Sequence, residues 1–242
     1  MTGVVVAGGG VAALEFVLAL RAHTGVGIGV TLVAPELEFS LRPLLVAAPL
    51  GAVAPVRIPL AELASDIGFR LVPASIASVD HARRRVLVRS GDAVPYETLV
   101  LALGARTLPA LEDALHLGDS VGASGLAELH EDIRRGTVRS VAFVAPSTTG
   151  WLTALYEAAL LTANAGSDIE VSLVTPESSP LQHFGPQAST AVAQALDAAG
   201  IVFRDDLPVA DRVVTVPMLR GPRIDGVPVT GPYGLILSLI HI

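Results

Sequence analysis

Lysine and cysteine are both absent from this chain of 242 residues, so that every cationic side chain apart from histidine is an arginine. The lack of lysine excludes Schiff-base chemistry, a lysine general base and a Walker-type phosphate lysine within the chain. The lack of cysteine excludes disulfide scaffolds, thiolate metal sites, cysteine nucleophiles and redox dithiols. Aromatic residues are scarce at 4% and the net charge is −7. Nucleic acid is therefore excluded as a partner, since its phosphates need a basic face and its bases need stacking platforms. Apolar residues, by contrast, make up 51% of the chain, enough for a sizeable core. No apolar run is long and unbroken enough to predict a transmembrane segment. Val4 to Leu20 is interrupted by three glycines and carries Glu15, and Leu44 to Leu60 is broken by Pro49, Pro55 and Pro59 and carries Arg57. The opening Met1-Thr2-Gly3 has no positive signal-peptide region, so the expected location is cytoplasmic.

Val4-Val5-Val6-Ala7 is a β-branched run, followed by Gly8-Gly9-Gly10 and then apolar residues at helical spacing, Val11, Leu14, Val17 and Leu18. A second such run, Val30-Thr31-Leu32-Val33, completes a strand–helix–strand unit. Continuous apolar strands around a helix imply a parallel sheet covered on both faces. From Phe69 to about residue 97 short extended runs alternate with turn residues, which predicts a small inserted antiparallel sheet with a hairpin turn at Ser90-Gly91-Asp92. Thr98 to Ala102 then returns to a buried strand ending at Gly104, and glycine, serine and aspartate between Asp113 and Gly125 mark a boundary.

The next stretch repeats the opening grammar. It predicts a strand at Ser140 to Ala145, a helix at Trp151 to Ala163 and a strand at Glu170 to Val174, then a helix at Pro186 to Ala199 and strands at Ile201 to Phe203 and Val213 to Val216. Ala34-Pro35-Glu36 closes the first unit as Thr175-Pro176-Glu177 closes the second. The expected fold is α/β, with two Rossmann-like parallel-sheet units and a small antiparallel insertion. The expected domains are 1–115, 116–218 and a return segment at 219–236.

Gly8-Gly9-Gly10-Val11-Ala12-Ala13 fits the G-x-G-x-x-A form of a dinucleotide fingerprint between a strand and a helix. Gly8 permits the tight turn, Gly10 lets the backbone approach a pyrophosphate, and Ala13 allows close helix–strand contact, so the free amides of the helix start can hold a diphosphate. Glu36, just past the second strand, is the candidate for the ribose hydroxyls.

These residues, with Phe39-Ser40-Leu41-Arg42-Pro43-Leu44 and Leu99-Val100-Leu101-Ala102-Leu103-Gly104-Ala105, resemble the flavoprotein reductases with two dinucleotide folds, the pyridine nucleotide-disulfide oxidoreductase superfamily. Within it the chain looks most like the type II NADH dehydrogenase and sulfide:quinone reductase branch. The resemblance implies FAD in the first unit, with residues 8–13 at the pyrophosphate, Glu36 at the adenosine ribose, Val79 near the adenine, and Ala102, Leu103 and Gly104 lining the cofactor. It implies Arg42 on the flavin side, where a cation stabilises the reduced, anionic ring. Leu103 replaces the threonine usual in that strand-end motif, so a hydroxyl contact is lost there.

The second unit departs further from the family pattern. Ala145 to Leu152 fills the turn where a second glycine fingerprint belongs; Gly150 matches Gly8, while Leu152 and Leu155 stand in place of Gly10 and Ala13. Bulk at Leu152 is expected to obstruct a pyrophosphate in the usual pose. Glu177 sits where a ribose-binding acid belongs, which favours NADH over NADPH if a nucleotide binds, so NAD(P)H stands as an open second cofactor. Without cysteine the sulfur chemistry of the disulfide and sulfide:quinone reductases cannot be run by this chain, whereas hydride transfer to flavin needs no side-chain acid. No catalytic residue is therefore expected. His23, His81, His116, His130 and His183 show no metal-like spacing and are expected at the surface or in loops.

The implied function is an FAD-dependent oxidoreductase passing a hydride from NAD(P)H or another donor through flavin to a quinone-like acceptor. The alternative is a non-catalytic nucleotide-binding or interaction module with a degenerate second site. The partners are small-molecule donors and acceptors, and a homo-oligomer is left open. Leu237 to Ile242 is what CTG TCT CTT ATA CAC ATC encodes, a transposase end sequence of library adapters. It is expected to be a non-native tail on a chain missing its C-terminal part, through which a peripheral membrane contact would be made.

Overall fold

The computed structural model of the chain describes residues 3–50, 54–118, 120–147, 152–165 and 168–228. It divides into two compact units, one from Met1–Leu41, Val56–Arg106 and the segment from Leu219 onward, the other from Arg42–Pro55 and Thr107–Met218.

In the first unit the chain runs through β1 (Val4–Ala7), α1 (Val11–Thr24), β2 (Val30–Ala34) and an antiparallel pair, β3 (Glu38–Ser40) with β4 (Arg57–Pro59). There follow α2 (Leu60–Ile67), β5 (Arg70–Pro73), the antiparallel strands β6 (Ile76–Asp80), β7 (Arg85–Val88) and β8 (Ala93–Pro95), and then β9 (Thr98–Leu101). The main sheet has the order β5-β2-β1-β9 and is parallel throughout. Its strands are apolar at successive positions because both faces are covered. Val6, Leu32 and Ala34 pack with Ala13, Leu14 and Val17 of α1 and with Leu60, while Val5, Ala7 and Val33 pack with Val79, Val86 and Val88 of the small sheet. Each such fully buried valine or leucine is worth about 1.5–3 kcal/mol of transfer free energy. The small sheet starts at Ile76 rather than Phe69, since residues 70–73 add a parallel strand to β2 across α2.

Arg21 secures the helical layer. Its guanidinium donates to the carbonyls of Ile67 at 3.1 Å, Gly68 at 2.5 Å, Gly25 at 3.2 Å and Ile28 at 2.9 Å, so it ties the C-terminal ends of α1 and α2 to the loop before β2. Orphan helix-end carbonyls and a cation are complementary.

After β10 (Arg106–Leu108), within which the boundary falls, the second unit contains β11 (Leu115–His116), α3 (Ser120–Arg134), β12 (Ser140–Val144), α4 (Leu152–Asn164), β13 (Glu170–Val174), α5 (Pro186–Ala198), β14 (Val202–Arg204) and β15 (Arg212–Thr215). The parallel sheet has the order β11-β15-β12-β13-β14, and β16 (Met218–Arg220) follows it in the chain. Phe143, Leu126, Leu155, Leu173, Leu196 and Val214 form its core, joined by Val46 from between two short 3-10 turns at Arg42–Leu45 and Ala48–Leu50. α3 occupies the stretch whose glycines suggested a boundary. A side chain at Gly122 would meet the His116 carbonyl oxygen and one at Gly125 would meet Leu115, so both glycines serve close packing inside a helix. His130 lies on this helix at 3% exposure, buried rather than at the surface, with Nε2 2.8 Å from the Thr162 hydroxyl.

Beyond β16, Ile224 and Val227 pack against the small-sheet side of the first unit, and Val79 N–H donates to the Asp225 carbonyl at 2.8 Å. The stretch from Gly221 to Pro228 that reads as a linker thus adds a backbone contact to β6. The suspected tail, Leu237 to Ile242, lies outside the described residues.

Candidate functional site

In the first sheet the chain steps from β1 to β2 to β5 in one direction, and β9 lies on the opposite side of β1. The strand order reverses between β1 and β9, and in open parallel sheets the crevice past the C-terminal ends of the strands at such a reversal is where ligands bind. Gly8, Gly9 and Gly10 leave β1 at that point, and Ala102, Leu103 and Gly104 leave β9. The Gly8 N–H donates to the Val33 carbonyl at 2.8 Å and the Ala102 N–H to the Ala7 carbonyl at 2.8 Å, so both turns are fixed to the sheet.

The three glycines have different tasks. Gly8 has φ +118, and a Cβ there would strike the Ala102 carbonyl oxygen. At Gly9 a Cβ would crowd Leu60 and Ala34. Gly10 has an ordinary φ of −86 and no atom within 4 Å of an added Cβ. It caps α1 without a side-chain hydrogen bond, and the first intrahelical bond runs from Leu14 N–H to the Gly10 carbonyl at 3.1 Å. The amides of Val11, Ala12 and Ala13 precede that bond and so lack intrahelical acceptors. Val11 and Ala12 are exposed, whereas the Ala13 methyl is fully buried against Val6, Leu32 and Ala34, as close helix–strand packing requires.

Glu36 is exposed two residues past β2, on the same C-terminal edge of the sheet as the glycine turn. Gly104 is exposed with φ +65 after β9, and Leu103 is half-buried against the core of the small-sheet side. Val79 is 5% exposed within β6, with its side chain in the core beside Val5, Ala7 and Val33 and its N–H given to Asp225. Arg42 is exposed at the start of its 3-10 turn and belongs to the second unit.

The second unit has its own reversal, with β13 and β14 on one side of β12 and β15 on the other. In the first unit residues 8–10 connect β1 to α1, and the corresponding stretch of the second unit is described only over residues 145–147. Gly150 lies outside the described residues. Leu152 is 7% exposed and packs with Leu155 in the core, so the bulk expected to obstruct this turn points inward. Glu177, past the end of β13, is 4% exposed. Its Oε2 accepts the Tyr156 hydroxyl at 2.7 Å, and its own N–H donates to Thr175 Oγ1 at 3.2 Å. Its Oε1 is buried without a hydrogen-bond partner among the described residues. Burial and then the hydrogen bond to Glu177 push the Tyr156 phenol up, well above the ordinary tyrosine range. Tyr156 and the return residue Asp225 are the two contributors to these sites that sequence reasoning missed. Their only sequence signals are a tyrosine on a largely apolar helix and an aspartate beside a glycine.

The family model for pyridine nucleotide-disulphide oxidoreductases matches residues 2–209. This chain belongs to that family. Among solved structures it resembles the sulfide:quinone oxidoreductase from the hyperthermophilic bacterium Aquifex aeolicus, at 19% identity and a TM-score of 0.83 over 96% of this chain and 63% of that one. It also resembles a ferredoxin reductase from Rhodopseudomonas palustris, at 22% identity and 0.67 over 88% and 57%. NDH2 from Plasmodium falciparum matches at 14% identity and 0.70 over 93% and 56%. The chain therefore spans roughly three fifths of the length of these proteins. No curated protein matches it.

Family members are FAD-dependent oxidoreductases of pyridine nucleotides. The first unit fits the diphosphate of such a cofactor, because an uncapped helix start opens onto space at Gly10 that any larger side chain would fill. Among the described residues no group of histidine and acidic side chains could hold a metal ion, and no helix is long and apolar enough to cross a membrane.

Proposed function

We propose that this chain is the nucleotide-binding part of a flavin-dependent oxidoreductase that passes a hydride from NAD(P)H or another donor through FAD to a quinone-like acceptor. The observation that carries the reading is the glycine turn at the reversal point of the first sheet, with Gly8 closed against Ala102 and Gly10 open to a ligand. FAD, when bound, supplies the hydride-accepting and electron-passing chemistry. The chain's own work is to bind and orient. Backbone amides at Val11, Ala12 and Ala13 meet the pyrophosphate, where the helix dipole favours negative charge. Glu36 accepts hydrogen bonds from the adenosine ribose, Val79 lies near the adenine, and residues 102–104 line the cofactor. Arg42 supplies positive charge on the flavin side.

The quinone-like acceptor is supported by the likeness to the sulfide:quinone oxidoreductase structure, and the absence of cysteine removes a sulfur relay from this chain. The domain assignment proposed is FAD in the first unit and a pyridine nucleotide in the second, around Gly150 and Glu177. A non-catalytic nucleotide-binding module is the second reading, favoured by the inward turn of Glu177. Absorption spectroscopy separates the two. A purified chain that is yellow and loses its flavin bands on Gly10→Val substitution supports the oxidoreductase. A colourless chain whose melting temperature rises with ADP-ribose but not with FAD supports the module and overturns the first.

A further inference from the structure

Glu177 is a buried carboxylate with only one oxygen satisfied. Oε2 holds the Tyr156 hydroxyl at 2.7 Å and lies 3.5 Å from Thr175 Oγ1, whereas Oε1 is enclosed with no hydrogen-bond partner among the described residues. A stranded acceptor in a protein interior keeps its desolvation penalty until a donor reaches it. Tyr156, on α4 and 2% exposed, also accepts the Leu181 N–H at 3.3 Å. Leu181 itself has φ +46, a left-handed conformation that side-chain-bearing residues avoid. One phenol thus joins the end of β13, the helix α4 and a strained point of the following loop. Burial and the neighbouring carboxylate keep that phenol protonated, so it is the donor of the pair.

We propose that the Tyr156 hydroxyl competes with the ribose of a pyridine nucleotide for Glu177, so that Tyr156 sets how tightly the second unit holds its nucleotide. This rests on the reading that the second unit takes a pyridine nucleotide at all. In the closed arrangement the acid is spent on its own chain. Opening it exchanges one phenol donor for the two hydroxyls of a ribose diol, one for each carboxylate oxygen, and so also satisfies Oε1. A 2′-phosphate places like charge beside the carboxylate in either arrangement, so Tyr156 affects only the unphosphorylated ligand.

The test is calorimetric titration of the 242-residue chain with ADP-ribose and with 2′-phospho-ADP-ribose, for the unsubstituted protein, Tyr156→Phe, Glu177→Gln and the double variant. Tyr156→Phe is expected to lower the melting temperature yet tighten ADP-ribose about tenfold. It should leave the phosphorylated ligand unchanged, and the gain should vanish when Glu177→Gln is added. A merely structural tyrosine would weaken binding or leave it alone. If the unsubstituted chain binds ADP-ribose and Tyr156→Phe binds it no tighter, or the gain survives in the double variant, the competition is overturned while the nucleotide reading stands. If no variant binds either ligand, the nucleotide reading falls and the competition with it. A measurement on the unsubstituted chain covers the case of a Phe variant that does not fold. The tyrosine Cζ resonance of Tyr156, one of three tyrosines, should move when ADP-ribose saturates the protein, and an unmoved resonance at saturation overturns the proposal.

Discussion

The carbonyl oxygen of Ala102 occupies the position that a side chain on Gly8 would need. The two strand ends thereby fix the shape of the turn, because the end of β9 reaches over the end of β1 only if residue 8 has no Cβ.

Gly8→Ala and Gly10→Ala should therefore separate stability from binding. The first forces a methyl against backbone at φ +118 and is expected to destabilise the chain by about 1–3 kcal/mol. The second places a methyl in open space at an ordinary φ, leaving the melting curve nearly unchanged while weakening FAD. Denaturant melts and flavin titration on both variants check the pair of outcomes.

His130 should make stability depend on pH. Burial, and then the charge of Arg134, push its imidazole below the ordinary value of 6.5, so the unfolded chain binds the proton more readily than the folded one. The contribution is complete above pH 6.5 and is lost as the pH falls from there through the folded value. In His130→Leu this part of the slope should disappear, as melting temperatures measured across the window would show.

Asp211 joins the starts of β12 and β15. Its Oδ2 accepts Arg139 N–H at 2.8 Å and Ser140 N–H at 3.1 Å, and its own N–H donates to Ser140 Oγ at 3.0 Å. Those backbone donors hold its carboxyl below 3.8, so the stability it provides is present above that value and is lost as pH falls through the lower folded one. Asp211→Ala is expected to lower the melting temperature and to speed hydrogen exchange at the Arg139 and Ser140 amides. Unchanged protection at both amides would contradict the role.

Arg21→Lys should not be conservative. A single ammonium has three donors on one point and cannot reach the carbonyls of Gly25, Ile28, Ile67 and Gly68 that the guanidinium spans. A fall in melting temperature of a few degrees, close to that of Arg21→Ala, is the expected result of thermal scans on both variants.

Much of the fold was legible wherever burial on both faces leaves continuous apolar strands, as in Val4–Ala7, Val30–Ala34, Ser140–Val144 and Glu170–Val174. α3 was hidden because Gly122 and Gly125 look like breakers, although close contacts with His116 and Leu115 demand them. Arg70–Pro73 was placed in the small sheet because the short α2 before it, in a proline-rich stretch, did not announce a crossover. In the candidate site the glycine turn was readable, since its chemistry lies in consecutive residues. The partner of Glu177 was not, because Tyr156 stands 21 positions away and reaches it only through the packing of α4 on β13.

His81 Nε2 lies 2.6 Å from the Gly226 carbonyl oxygen across 145 positions of chain, beside the Val79–Asp225 bond, and Thr107–Met218 of the second unit lie in between. A ribosome delivers the small sheet long before the segment that seals it. The first unit must therefore wait, one flank unfinished, while the other unit is made, and a nascent chain halted before Asp225 should be cut by protease near β6 where the finished chain resists. Loop closure over so long a separation slows this last step, so the final closure of the first unit is set by the synthesis of its neighbour.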